Sequence, residues 1–252
     1  MAAYTIEKEN WSEDELKTYY KNAKEKFTLN SWDDLDIIFN TAMKSPGLFP
    51  GINGINTVKE YIERWVKLYH DAELNPPSER IATPKTACTD PAIRTIVQNT
   101  QGLDTDLAID GELTHNLFMS AENIQGNLLE EYISNNIRKY GFIWCKGNTL
   151  RAIDFCNSTG TVLLQIKNKS NTENSSSSNI RSGTTIKKWF RLGTKTIQGK
   201  KVPNYKWNVL NELVNEFKAQ GESLAPCNLS EESYLEFIKT VSKANKKLIS
   251  RD

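Results

Sequence analysis

The sequence predicts an α/β protein: a sheet flanked by helices, preceded by a helical N-terminal region. Two patterns predict it. Residues 11–75 carry helical periodicity interrupted by one Pro/Gly-rich stretch. A long patterned segment, MSAENIQGNLLEEYISNNIRKYG, then leads directly into three short strand-like runs. With 252 residues, 38% of them hydrophobic, and six Trp, the chain is long enough to bury a sizeable core.

Each element has a local reason. Ser12 followed by Glu15 is a capping-box pattern that starts a first helix. Asn30 or Ser31 caps a second, running through WDDLDIIFNTAMK, and SPGLFPGINGIN ends it. Thr57 starts a third, in which Val58, Tyr61, Ile62, Trp65, Val66 and Tyr69 share one face. NPPSER reads as a loop, and Asp90-Pro91 opens a short helix over 89–100. In the next helix Ser120 is placed as the cap and Gly141 as the stop, with Leu129, Ile133 and Ile137 as an apolar stripe. FIWCKG, NTLRAIDFC and VLLQIKN then read as strands, the last two joined through the turn NSTGT. TTIKKWFRLG reads as an ordered basic element anchored by aromatics, and residues 207–219 and 230–249 as two closing helices.

Composition excludes several functions. No apolar run reaches 18 residues, so no membrane span is expected, and the charged start MAAYTIEKEN is not expected to act as a signal peptide. Four scattered cysteines without a CxxC pair argue against zinc and against a disulfide framework, and fit a reducing cytoplasm. Cys145 and Cys156 read as small core residues. Two His leave little room for a His-centred triad. The net charge of +1 hides an asymmetry: from Phe155 through Asn211 there is one acid, Glu173, against ten bases. Such a segment is either a solvated face or a positive surface for a polyanion. Its Asn/Ser-rich part, NKSNTENSSSSNIRSGT, reads as a linker or as part of that surface.

The chemistry concentrates around two strands. Asp154 lies near the end of one, and Gln165 and Lys167 share a face of the next. Glu130 and Glu131 lie on the helix upstream. Phosphodiester hydrolysis requires such groups: a divalent cation held by oxygens, an activated water, and a cation beside the phosphorane. Asp154 would supply the principal carboxylate. The Gln165 side-chain oxygen and the Ile166 carbonyl would supply neutral ligands suited to Mg²⁺. Lys167 would orient the attacking hydroxide and offset phosphate charge. Glu130 would join the metal directly or through water.

This pattern of an upstream helix Glu, Ile153-Asp154, and Gln165-x-Lys167 resembles the PD-(D/E)XK nuclease superfamily. More narrowly, AENIQGNLLEEYI with LLQIKNKSNTENSSSSNIRSGTTIKKWFR resembles the SinI-type type II restriction endonucleases, over roughly residues 117–207. The resemblance implies a restriction-endonuclease-like core with a mixed central sheet. It also implies a Mg²⁺-dependent homodimer that cuts both strands of double-stranded DNA at a GG(A/T)CC-type site, leaving 5′-phosphate and 3′-hydroxyl ends. Two-fold symmetry in the protein would match the palindrome. Asp154 and Lys167 carry over as the catalytic Asp and Lys. Gln165 stands where a second acid is usual, so a nearby carboxylate is expected to compensate: Glu130 first, with Glu131 and Glu122 as alternatives. Such an enzyme would work in a prokaryotic cytoplasm, with a cognate DNA methyltransferase as a genetic partner only.

For DNA contacts, Lys169, Arg181, Lys187, Lys188 and Arg191 are the candidate cations, with Asn171, Asn174, Ser175 and Ser176 as polar partners. The expected organisation is a helical region over 1–115, giving dimer contacts or a clamp on DNA, and a catalytic core over 116–252 with a basic recognition segment at 168–206. Two rivals stand beside this reading. One is a repair or structure-selective nuclease of the same superfamily. The other is a non-catalytic nucleic-acid-binding protein with a decayed metal site, which the glutamine at 165 keeps in play.

Overall fold

A computed structural model of the chain describes residues 3–82, 90–169, 186–218 and 224–249. The chain divides into two compact units, Met1–Asn75 with Tyr132–Tyr234, and Pro76–Glu131 with Leu235–Asp252.

The first unit contains helices α1 (Glu13–Lys24), α2 (Asp33–Lys44) and α3 (Val58–Leu74) and a five-stranded sheet. Ser12 caps α1 by accepting the Glu15 N–H, and Thr57 caps α3 by accepting the Glu60 N–H, as their sequence patterns require. The cap expected for α2 differs. Trp32 holds the N-cap position without a side-chain bond, while the Ser31 hydroxyl accepts from the Asp33 N–H.

The strands are β1 (Phe142–Trp144), β2 (Phe155–Asn157), β3 (Leu163–Lys169), β4 (Ile186–Ile197) and β5 (Lys200–Tyr205), in sheet order β1-β2-β3-β4-β5. β3 and β4 are parallel and the other pairs antiparallel, so the sheet is mixed. NTLRAIDFC is strand only at its end, which corrects the expectation of a full strand. Asn148 and Ala152 hold positive φ, the Arg151 N–H donates to Leu48 O, and Trp65 Nε1 donates to Thr149 O. The segment before Asp154 is therefore a loop fastened to the N-terminal helices. Gly147 permits this: a Cβ there would lie 2.4 Å from Leu68 O. The β2–β3 turn is set by the Asn157 side chain, which accepts from the Thr161 and Val162 N–H groups.

One sheet face continues into the core of α1–α3: Ile143, Cys145, Cys156 and Leu163 cluster with Tyr61, Ile62 and Trp65. Both cysteines are buried, as small core residues should be. On the other face α6 (Trp207–Phe217) packs through Trp207 against Trp189, and Trp207 also meets Tyr132 and Tyr234. β5 had no counterpart in the sequence reading, because its Lys, Pro and Asn content lacks the usual apolar alternation. Pro203 is tolerated because β5 is an edge strand.

The second unit holds α4 (Pro91–Gln101), the N-terminal part of α5 (Thr105–Ile137) and the C-terminal part of α7 (Glu231–Ala244). Asp90 caps α4 as expected. The expected start of α5 at Ser120 is wrong. Asp104 Oδ1 accepts the Leu107 N–H at the true start, and Ser120 sits mid-helix with its hydroxyl donating to Asn116 O. A Ser followed by acids imitates a cap wherever it falls, and the helix carries on through it. Leu128, Val241 and Leu248 form this unit's apolar cluster.

Candidate active site

The end of β2 and the middle of β3 build the site. The register Phe155↔Leu164 and Cys156↔Leu163, continued by one step, sets Asp154 against Gln165. Cross-strand partners share a face, and so do residues two apart. Asp154, Gln165 and Lys167 therefore lie on one face, beyond Leu163 and the helical core.

The ladder is modified at this point. The Asp154 N–H donates to Leu164 O, and Asp154 O accepts from the Cys145 N–H. The Ile166 N–H donates to Asp154 Oδ2 at 2.6 Å, so a carboxylate stands where a strand carbonyl would. Burial pushes the Asp154 carboxyl up from 3.8 to about 6; the Ile166 N–H and the Lys167 charge pull it back only in part. Among the described residues the ionised form is thus held by the Ile166 N–H and the Lys167 ammonium in a dry setting.

Gln165 is buried, 4% exposed, and among the described residues its Oε1 has no hydrogen-bond partner. A desolvated acceptor left unpaired costs about 1–3 kcal/mol. Beside a buried carboxylate it has the chemistry of a cation ligand. Among the described residues no three His, Cys, Asp or Glu side chains gather as a metal-binding group. The donor set is instead one carboxylate with neutral oxygens, which suits a hard cation that keeps several waters.

Of the other candidates, Glu130, Glu122 and Glu131 belong to the second unit. Glu131 serves the fold, since its carboxylate accepts from the Ser78 N–H and hydroxyl. Lys169 and Lys188 are exposed on β3 and β4, while Lys187 lies 4.1 Å from the Phe217 ring centroid and 3.9 Å from Glu216 Oε2. Asn171, Asn174, Ser175, Ser176 and Arg181 lie outside the described residues.

Arg191 is placed differently from the expectation that it meets DNA. It is 8% exposed, ion-paired with Glu231, and donates to Asn168 Oδ1 at 2.9 Å. Trp207 Nε1 donates to the other Glu231 oxygen. Sequence reasoning missed this cluster because its bonded partners lie 23 to 40 positions apart. Arg191→Met would strand the Glu231 charge and is expected to cost about 3–5 kcal/mol. Urea denaturation measures the loss; an unchanged midpoint would show that the pair contributes nothing.

The mixed sheet, with an acid at the mouth of β2 and a Gln-x-Lys on β3, defines a restriction-endonuclease-like α/β fold. Comparison with known proteins narrows the class. The family model for the SinI restriction endonuclease matches residues 60–239, and the chain belongs to this family. Over 137 residues it is 39% identical to the type II restriction enzyme Eco47I of Escherichia coli, covering 53% of this chain and 58% of that protein. Over 81 residues it is 51% identical to the type II restriction enzyme SinI of Salmonella infantis, covering 31% of this chain and 35% of that protein. These matches span little more than half of the first relative's length and about a third of the second's. Among the described residues no helix is long and apolar enough to cross a membrane.

Proposed function

We propose that this protein is a type II restriction endonuclease that uses Mg²⁺ to hydrolyse both strands of double-stranded DNA at a short palindromic site, GG(A/T)CC-like. The observation that carries this reading is the unpartnered Gln165 Oε1 buried beside the Asp154 carboxylate, with Lys167 on the same face. The similarity to two type II restriction enzymes and the family match support the same reading.

Asp154, Gln165 Oε1 and the Ile166 carbonyl would hold the metal. The bound cation supplies Lewis acidity and lowers the pKa of a water. Asp154 keeps one oxygen on the Ile166 N–H, which fixes the direction of the other. The Lys167 ammonium orients the attacking water and offsets charge growing on the phosphate oxygens. Water attack at phosphorus with departure of the 3′ oxygen leaves 5′-phosphate and 3′-hydroxyl ends. Each chain carries one such site and a palindrome has two scissile bonds, so the working form is a homodimer. Residues 1–115 would serve as dimer contacts or a DNA clamp, and Lys169, Asn171, Asn174, Ser175, Ser176, Arg181, Lys187 and Lys188 as DNA contacts. Arg191 is left out of that set. The enzyme would act in a prokaryotic cytoplasm beside a cognate DNA methyltransferase.

Digestion of a plasmid of known sequence with Mg²⁺, followed by sequencing of the fragment ends, tests the whole reading. Discrete fragments sharing one palindromic end sequence are expected. A smear would favour a structure-selective nuclease, and binding without cleavage a decayed site.

Two further results bear on the metal. Gln165→Glu adds a negative charge to the donor set, so the Mg²⁺ concentration for half-maximal cleavage should fall by about tenfold. An unchanged titration would remove Gln165 from the ligands. Protons compete with the cation for Asp154. Divalent-ion affinity should therefore drop by roughly tenfold per pH unit below about 6 and level off above 7. Calorimetric Mn²⁺ titrations between pH 5 and 8 measure this, and a flat profile would place the cation elsewhere.

A further inference from the structure

Among the described residues β4 and β5 run past β3 as a two-stranded ribbon. β3 pairs with β4 there as far as Lys169↔Leu192, whereas β4 continues to Ile197 and pairs with β5 through Ile197↔Lys200. Because β3 and β4 are parallel, the overhang leaves from the end of β3 that carries Lys167. Five residues, Gly193–Ile197, at about 3.3 Å each, reach roughly 16 Å beyond it. The turn is a tight two-residue one, with Gln198 at φ 49° and Gly199 at φ 77°, which matches the twist of a hairpin.

Residues 194–201 are all exposed, and Ile197 at the tip is 51% exposed. Lys195, Lys200 and Lys201 lie on this ribbon, and no acid occurs in the sequence between Ile186 and Asn211. Among the described residues none of the three lysines forms an ion pair. A bare hairpin is marginally stable alone, so an exposed apolar tip flanked by cations fits a surface that a polyanion covers. The major groove of duplex DNA, about 12 Å wide and about 8.5 Å deep, admits a two-stranded ribbon.

We infer that the β4–β5 ribbon enters the major groove of the substrate next to the bond being cut. Lys195, Lys200 and Lys201 meet phosphates, while Ile197 and Gln198 meet base edges. This rests on the reading of duplex DNA as substrate, and it deepens that reading: Lys187 and Lys188 lie near the start of β4, whereas Lys195, Ile197, Gln198, Lys200 and Lys201 lie on its far end and on β5.

The test uses the full chain and a duplex bearing its cleavage site. Binding is measured in Ca²⁺ over a range of KCl, and single-turnover cleavage in Mg²⁺ at saturating protein. Each of Lys195→Ala, Lys200→Ala and Lys201→Ala should lower the slope of log affinity against log salt by about 0.9. The triple variant should lose about 100-fold in affinity or more near physiological salt, with cleavage of bound DNA within about threefold. Lys200→Arg should keep the wild-type slope, which separates charge loss from misfolding. Ile197→Ala with Gln198→Ala should narrow discrimination against a single base-pair change by about tenfold. A triple variant with wild-type slope and affinity would overturn the inference while leaving the nuclease reading intact. A wild-type chain that neither binds nor cuts duplex DNA would overturn the nuclease reading itself, and this inference with it.

Discussion

Lys167→Ala is expected to reduce cleavage by about 10³-fold or more while leaving binding of the specific duplex within a few-fold of wild type. The asymmetry follows from position. Lys167 lies two residues beyond Gln165 on the same strand face, and its charge acts on the Asp154 carboxyl. A cation there contributes most when negative charge builds on the phosphate during attack. It contributes little to the ground-state complex, where many phosphates are met at once. Gel shift in Ca²⁺ against cleavage in Mg²⁺ separates the two effects. Near-normal turnover would remove Lys167 from the chemistry. A parallel loss of binding and cleavage would make it a DNA contact instead.

Asp154→Asn is expected to abolish cleavage and, in the absence of divalent ions, to make the protein more stable. The sign follows from the direction of the shift. The folded protein raises this carboxyl above its ordinary value, so the folded state binds the proton more tightly than the unfolded chain. Below about pH 4 both states are protonated and no penalty exists. Between about 4 and 6 the unfolded chain ionises first and the penalty grows; above 6 it is complete. A shift from 3.8 to about 6 corresponds to roughly 3 kcal/mol. Asn retains an oxygen to accept the Ile166 N–H, so most of the local geometry survives. The expected gain is about 1–3 kcal/mol at pH 8, a few degrees in Tm, vanishing near pH 4. Urea denaturation at both pH values checks it. A variant less stable than wild type at pH 8 would mean that Asp154 serves the fold rather than the cation. On the proposed reading the instability belongs to the site, since a buried carboxylate that is to receive a cation costs stability until the cation arrives.

Much of this was legible in the sequence where local physics dominates. The caps at Ser12, Thr57 and Asp90, the buried face of α3, and the shared face of Gln165 and Lys167 depend on spacings of two to eight residues. Errors arose where distant contacts override local preference. The loop 149–153 contains apolar residues at strand-like spacing, yet the Trp65 indole and the Leu48 carbonyl hold it out of the sheet. Arg191 looked like one more cation in a basic run until Glu231, 40 residues on, drew it inside. The isolation of Gln165 Oε1 could not be read from sequence at all, because it concerns which neighbours fail to reach it.

The most direct measurement is an anomalous-difference map from a crystal of the chain grown with its duplex and Mn²⁺. A single strong peak per active site is expected between the Asp154 carboxylate and Gln165 Oε1, with the Lys167 ammonium on the same side of the sheet, facing the scissile phosphate. A peak bound elsewhere, or Asp154 and Lys167 directed to opposite sheet faces, would contradict the proposed site.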